Sequence, residues 1–250
     1  MVEHEPLSGG DPSTRGERPE LILIPGLLND ADLWRDQIAD LSKVAVCHVA
    51  DITKGETLRE LAESVLARAP RYFALAGFSL GGYVAQEIIR IAPDRVTRLA
   101  LLDTSIRPDT PERSVIRRAL DKAARAPGKF HGFGDRLLTT YLDASNLADE
   151  KITGRIRGMT ERLGVETFVR QNNIQRKDGV DALRSLVCPV LILCGENDKL
   201  TPVEDHREMI SFVPHGKLVI VEHSGHMTPI ENPQAVTGAL LDWLNIAVES

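Results

Sequence analysis

Ser79 lies between glycines in Gly77-Phe78-Ser79-Leu80-Gly81, and that spacing is the first sign of chemistry in the chain. The apolar run Tyr72-Phe73-Ala74-Leu75-Ala76 before it predicts a short buried strand. The residues from Gly82-Tyr83-Val84-Ala85 to Ile88-Ile89-Arg90-Ile91 predict a helix that stops at Pro93. A strand that turns straight into a helix forces the turn residue into strained dihedrals, where side chains two positions either way would collide. Gly77 and Gly81 remove the collision and leave the Ser79 hydroxyl projecting from the turn. The helix N-terminus directs unpaired N–H groups and a positive partial charge at the same point. A serine so placed is a candidate nucleophile.

A serine hydroxyl is a weak nucleophile until a base takes its proton, and that base needs an orienting acid. Two downstream loops offer them, each after an apolar strand-like run. Val190–Cys194 is followed by Gly195-Glu196-Asn197-Asp198-Lys199-Leu200-Thr201-Pro202, which contains Asp198. Leu218–Val221 is followed by Glu222-His223-Ser224-Gly225-His226-Met227, which contains both His223 and His226. Asp103, after Leu101-Leu102, is a second candidate acid. His131, His206 and His215 sit in polar or loop-like surroundings and read as surface residues.

The elements that must carry these residues alternate. Strands are expected at Leu21–Ile24, Val44–Val49, Tyr72–Ala76, Leu99–Leu102, Val190–Cys194 and Leu218–Val221, with helices near Leu33–Leu41, Thr57–Arg68, Tyr83–Ile91, Val203–Ile210 and Gln234–Ile246. Such alternation implies an α/β fold: a mostly parallel sheet of about six strands with helices on both faces, and ligands at the carboxyl ends of the strands. One segment breaks the rhythm. From Arg107 to Leu183 only helical patterns occur, punctuated by Pro108, Pro111, Pro127, Gly128 and Gly132, and the segment reads as a helical lid. The expected organisation is a flexible leader at 1–19, a core at 20–106 and 184–250, and the lid at 107–183. Phe130, Phe133, Tyr141, Met159 and Phe168 fit either a pocket beneath that lid or packing within it.

Composition narrows the function classes. In 250 residues, a hydrophobic fraction of 42% and a charged fraction of 26% suit one globular α/β domain with an insertion. A net charge of −6 argues against binding nucleic-acid phosphates. The stretch from Arg107 to Arg184 nevertheless holds 16 Lys/Arg against 11 Asp/Glu. That excess fits solvated helix faces, or a lid that attracts anionic substrates or an acidic carrier protein. Cys47, Cys188 and Cys194 form neither a disulfide framework nor a metal-ligand pattern, which suits a reducing cytoplasmic setting. The polar N-terminal stretch lacks the apolar core of a secretory signal, and no apolar run approaches membrane-spanning length. No cofactor motif is found.

Taken together, Gly77-Phe78-Ser79-Leu80-Gly81-Gly82, Gly195-Glu196-Asn197-Asp198 and Ser224-Gly225-His226 resemble the three signatures of the α/β-hydrolase family, in its chain order Ser–Asp–His. Leu23-Ile24-Pro25-Gly26-Leu27-Leu28, ending at Trp34, resembles the loop after the family's third strand. The resemblance spans about residues 20 to 248. It implies Ser79 as nucleophile, His226 as base and later acid, and Asp198 as the acid that orients it. His226 is preferred to His223 for its Gly-His pairing, and Asp198 to Asp103. It also implies an oxyanion hole built from the backbone N–H groups of Leu27 and Leu80. Two departures stand out: Pro25-Gly26 replaces the His-Gly of many relatives, and the stretch ahead of Leu21 is too short and polar for the two extra strands often found there.

The implied activity is hydrolysis of small or medium carboxylic esters, with lactones and thioesters as variants and a small-molecule ester as partner. A meta-cleavage C–C bond hydrolase uses the same triad but often carries Asn where this chain has Phe78. A non-enzymatic ligand receptor on the same fold is the alternative of another class.

Overall fold

The computed structural model describes residues 18–126, 132–213 and 215–245. The expected leader therefore lies outside the described residues except for its last two, as do Pro127, Gly128, Phe130 and His131. Six strands form one sheet: β1 (Glu20–Ile24), β2 (Val46–Val49), β3 (Phe73–Phe78), β4 (Val96–Leu102), β5 (Val190–Gly195) and β6 (Gly216–Val221). Every pairing is parallel, in the order β2-β1-β3-β4-β5-β6. The six-stranded parallel sheet expected from the alternation is the one observed among the described residues.

Burial follows strand position. In β3 (FALAGF) and β5 (VLILCG) every residue is buried, because helices cover both faces of a central parallel strand. The edge strands β2 and β6 are only half-buried. Helices α1 (Arg35–Leu41), α2 (Leu58–Leu66) and α3 (Leu80–Ile91) follow the first three strands. Right-handed crossovers set α2 beside α3 on one face and α1 on the other, where the C-terminal helix packs against it. The chain leaves β1 toward one sheet edge and returns to place β3 on its other side. The crevice outside a parallel sheet opens where strand order reverses in this way. The carboxyl ends at that point are Ile24, leading into Pro25-Gly26-Leu27, and Phe78, leading into Ser79.

Between β4 and β5 the described residues form helices and no strand: α4 (Pro111–Ala124), α5 (Asp135–Tyr141), α6 (Glu150–Asn173) and α7 (Val180–Arg184). Thr110 caps α4, its hydroxyl accepting from Arg113 N at 3.2 Å, with Pro111 in the first turn where no N–H is needed. Gly164 divides α6 at φ 73°, ψ 178°, a conformation glycine reaches without strain. After β5 come α8 (Val203–Ser211), α9 (Thr228–Glu231) and α10 (Pro233–Leu244). On α10, Val236, Leu240 and Trp243 are buried, the spacing of a single helical face.

The basic excess of the 107–184 stretch has a structural use. Arg155 pairs with Asp36 at 2.5 Å, Arg162 with Asp30 at 2.9 Å, Lys177 with Glu87 at 2.9 Å and Arg107 with Glu208 at 2.5 Å. Cations of the insertion thus meet acids of the core, so part of the excess serves to hold the two together. No described helix is long and apolar enough to cross a membrane.

Candidate active site

Ser79 sits at φ 50°, ψ −115°, between the last residue of β3 and the first of α3. A non-glycine residue in that region is strained, and the surroundings hold it there. Its N–H donates to Leu102 O at 2.9 Å, while its carbonyl accepts from Gly82 N at 2.9 Å and from the Thr104 hydroxyl at 2.8 Å. A Cβ on Gly77 would lie well inside van der Waals contact with Gly81 O, and one on Gly81 would strike the carbonyl oxygens of Ile24 and Pro25. The glycines are therefore required by backbone packing on both sides of the serine.

His226 and Asp198 arrive from the two downstream loops. Ser79 Oγ lies 2.9 Å from His226 Nε2, and His226 Nδ1 lies 2.8 Å from Asp198 Oδ2. With Nδ1–H donating to the carboxylate, Nε2 is left as the acceptor for the serine hydroxyl. Ser79 is partly exposed, whereas His226 is 2% and Asp198 5% exposed. Burial pushes the Asp198 carboxyl up, but the charge and hydrogen bond of His226, with the Thr201 bonds, outweigh it and hold it below the ordinary range. Its Oδ1 accepts from Leu200 N at 2.8 Å and Thr201 N at 3.0 Å, and the Thr201 hydroxyl donates to Oδ2 at 2.7 Å.

The loop after β1 forms a turn closed by Asn29 N donating to Gly26 O at 3.2 Å, with Leu28 at φ 52°. Leu28 N donates to Gln171 Oε1 of α6 at 2.8 Å, and Gln171 Nε2 donates to Ile52 O at 3.0 Å. Neither Leu27 N nor Leu80 N has an acceptor among the described residues; Leu80 is the first residue of α3, where an N–H has no intrahelical partner. Replacing His by Pro25 leaves this turn intact.

The other candidates separate cleanly. His223 is exposed, at φ 53°, and is not part of the chain of contacts. Asp103 is fully buried, with Oδ1 accepting from Gly195 N at 3.0 Å and Oδ2 held by the Thr228 hydroxyl. Burial and the neighbouring Asp198 charge push its carboxyl well up. Asp103 thus braces the loops from inside. His215 is exposed, as expected, but His206 is not a surface residue: it is completely buried. Its Nδ1–H donates to Pro202 O at 3.1 Å and its Nε2 accepts from Thr104 N at 3.2 Å, and burial pushes it down to about 4. It is a neutral tie between α8 and the strand that ends near Asp103.

Sequence reasoning passed over the fastening of the base loop. Glu231 Oε1 accepts from Gly225 N at 2.9 Å and Met227 N at 3.0 Å, and His226 N between them donates to Tyr141 O at 2.6 Å. Glu231 Oε2 reaches the insertion, accepting from Asp143 N at 2.7 Å and Asn146 Nδ2 at 2.9 Å. Asp143 Oδ2 in turn accepts from Asn197 Nδ2, beside Asp198, at 2.7 Å. The corner after α5 therefore ties both catalytic-candidate loops together. It packs so closely that a Cβ on Gly225 would come within 2.7 Å of Asp143 N. The Tyr141 ring stands edge-on to His226 at 5.4 Å, Phe133 packs on Tyr141 at 4.6 Å, and Met159 and Phe168 are buried. Among the described residues, no cluster suited to a metal ion is found.

With this geometry in place, likeness to known proteins becomes decisive. The profile of the alpha/beta hydrolase family matches residues 21–239. The chain belongs to the alpha/beta hydrolase family. Among curated relatives of this hydrolase is the pimeloyl-[acyl-carrier protein] methyl ester esterase of Aliivibrio salmonicida, 26% identical over 85% of this chain and 87% of that one. A thermophilic esterase from Thermogutta terrifontis superposes with a TM-score of 0.78 at 27% identity, covering 90% of this chain and 89% of that one. The enol-lactonase of Burkholderia xenovorans LB400 shares the fold, with a TM-score of 0.77 at 22% identity over 96% and 95% of the two chains.

Proposed function

We propose that this hydrolase cleaves small to medium carboxylic esters through an acyl intermediate on Ser79. The observation that carries the reading is the chain Ser79 Oγ–His226 Nε2 at 2.9 Å and His226 Nδ1–Asp198 Oδ2 at 2.8 Å, with the serine held at positive φ. Relatives named as esterases support an ester as the bond that is cut.

His226 Nε2 takes the hydroxyl proton as Ser79 Oγ attacks the ester carbonyl carbon. The charge that develops on the carbonyl oxygen is met by the N–H groups of Leu27 and Leu80, and Asp198 offsets the charge on the imidazolium. Collapse breaks the bond to the alcohol, which leaves with the proton returned by His226. A water molecule, deprotonated by the same nitrogen, then attacks the acyl-serine, and the acid departs as the Ser79 hydroxyl is restored. The insertion from 107 to 183 acts as the lid over this site.

A fluorophosphonate probe and a p-nitrophenyl ester series test the reading. Labelling confined to Ser79, and turnover abolished in Ser79→Ala, are expected. Undiminished turnover in that variant would overturn it, and rapid cleavage of a dienoate diketone with poor ester turnover would favour C–C hydrolysis instead.

A further inference from the structure

Within the insertion lies a buried cation without a counter-ion. Arg176, between α6 and α7, is 7% exposed. Its Nη1 donates to Gln171 O at 3.2 Å and to Ile174 O, and its Nε is buried with no partner. The guanidinium carbon stands 6.0 Å from the centre of the Tyr83 ring. Among the described residues, no carboxylate lies within ion-pair distance of it. Asp109, whose field reaches Arg176, is already held by Arg117 through two bonds of 2.6 and 3.2 Å. Burial pushes the guanidinium down to about 10, and the like charge of Arg117 pushes the same way.

Closing the end of α6 accounts for Nη1 only. A hydrophobic or neutral residue would serve the packing without the several kcal/mol it costs to bury an unpaired charge. The location suggests what the charge is for. Tyr83, under the guanidinium, is one helical turn beyond Ser79 on α3, and Tyr141, which shares the electrostatic field of Arg176, stands edge-on to His226. Arg176 thus lies against one tyrosine of the serine helix, and its charge is felt by the tyrosine that touches the base.

We infer that Arg176 receives a carboxylate of the substrate, so that the preferred substrates are esters bearing a second, free carboxylate, such as half-esters of dicarboxylic acids. The inference rests on the ester-hydrolase reading for the reacting group but not for the anion itself. A guanidinium–carboxylate contact away from the reacting carbonyl binds ground and transition states alike, so its loss raises KM with little change in kcat.

The experiment compares half-esters with neutral diesters of the same diacids, from succinate to suberate, in the native enzyme, Arg176→Met and Arg176→Lys. Arg176→Met should raise KM for the favoured half-ester roughly 10- to 100-fold, the range of a charge-assisted hydrogen bond, and leave the diester within about twofold; Arg176→Lys should recover part of the loss. Equal losses on both substrates, or no native preference for the half-ester, would overturn the inference in favour of a helix-closing role. If Arg176→Met is unfolded by circular dichroism, the half-ester to diester ratio in Arg176→Lys decides. Calorimetric titration of Ser79→Ala with the free dicarboxylates separates the two readings. Binding to Ser79→Ala that disappears on adding Arg176→Met, where the native protein itself hydrolyses no ester, would sink the hydrolase reading and leave the anion site standing.

Discussion

The carboxyl edge of the sheet and the insertion above it are held in place by different forces. At the sheet edge, position comes from backbone: fully buried strands, the Gly77 and Gly81 approaches, and main-chain bonds that fix Ser79 on both sides. The insertion has little of this. Helix α4 has no buried residue and exposes Val115 and Ile116 at 57% and 58%. It is fastened by side chains instead, through Arg155, Arg162 and Lys177 to core acids, Gln171 to the Leu28 amide, and the Tyr141–Asn146 corner to Glu231. Backbone packing tolerates almost no change, whereas side-chain ties can be cut one at a time. Rigidity is thus concentrated where the nucleophile candidate sits, and adjustability where substrate would be recognised.

Substitutions can break or sharpen that contrast. Ser79→Ala should lower kcat/KM for an ester by about 10⁴- to 10⁶-fold with an unchanged circular dichroism spectrum. Gly81→Ala, which sets a methyl group against two carbonyl oxygens, should destabilise by several kcal/mol in urea denaturation, a large effect for so small a change. A loss under about 1 kcal/mol would mean the sheet edge yields more than its geometry implies. Glu231→Gln puts an amide donor against Asp143 N or Gly225 N, so kcat should fall about tenfold and stability by about 1–3 kcal/mol.

Asp103→Asn tests the interior brace through pH. The folded protein raises the Asp103 carboxyl above its unfolded value of about 3.9, so native stability declines as pH rises from near that value toward the folded one. The Asn variant keeps the acceptor for Gly195 N without the charge, so its Tm advantage should grow from pH 4 upward. A difference that is flat with pH contradicts a raised carboxyl. The smallest effects belong to the insertion's exterior. Gly154→Ala, with nothing within 4 Å of the new methyl group, should stabilise by about 0.5–1 kcal/mol. Arg162→Gln should cost under about 1 kcal/mol, less still in high salt, as measured by thermal melts.

What was legible in the sequence follows the same division. The elbow could be read because its cause is local: two glycines, one serine, an apolar run and a helical period within twenty residues. Asp198 and His226 were found because each lies in a loop that follows a strand and parallel topology sends all such loops to one edge, while the family's Gly-His pairing chose His226 over His223. Gln171, Glu231 and Arg176 were missed because each makes a contact far along the chain, to Leu28 N, Asp143 N and the Tyr83 ring, and a lone Glu or Gln on a helix looks like solvated surface. His206 was misread for the same reason, set among Glu204, Asp205 and Arg207. One signal was present: Met209, one turn on, shares its buried face. The basic excess of the insertion was visible, but composition does not say that the matching acids lie across the interface. Arg113 illustrates this, since Asp205 of α8 already engages it.

The Gln171 contact bears on how such enzymes change specificity. Because this side chain of α6 holds the amide next to Leu27, the insertion is part of the turn after β1, proposed above to carry an oxyanion donor, and not a detachable cover. Grafting a foreign insertion onto this core would exchange more than the pocket wall. Unless the graft offers a carbonyl at the same place, Leu28 N is left unpaired, and its strained turn is free to relax. New substrate preference and lost turnover would then arrive together, and restoring one glutamine would be the first repair to attempt.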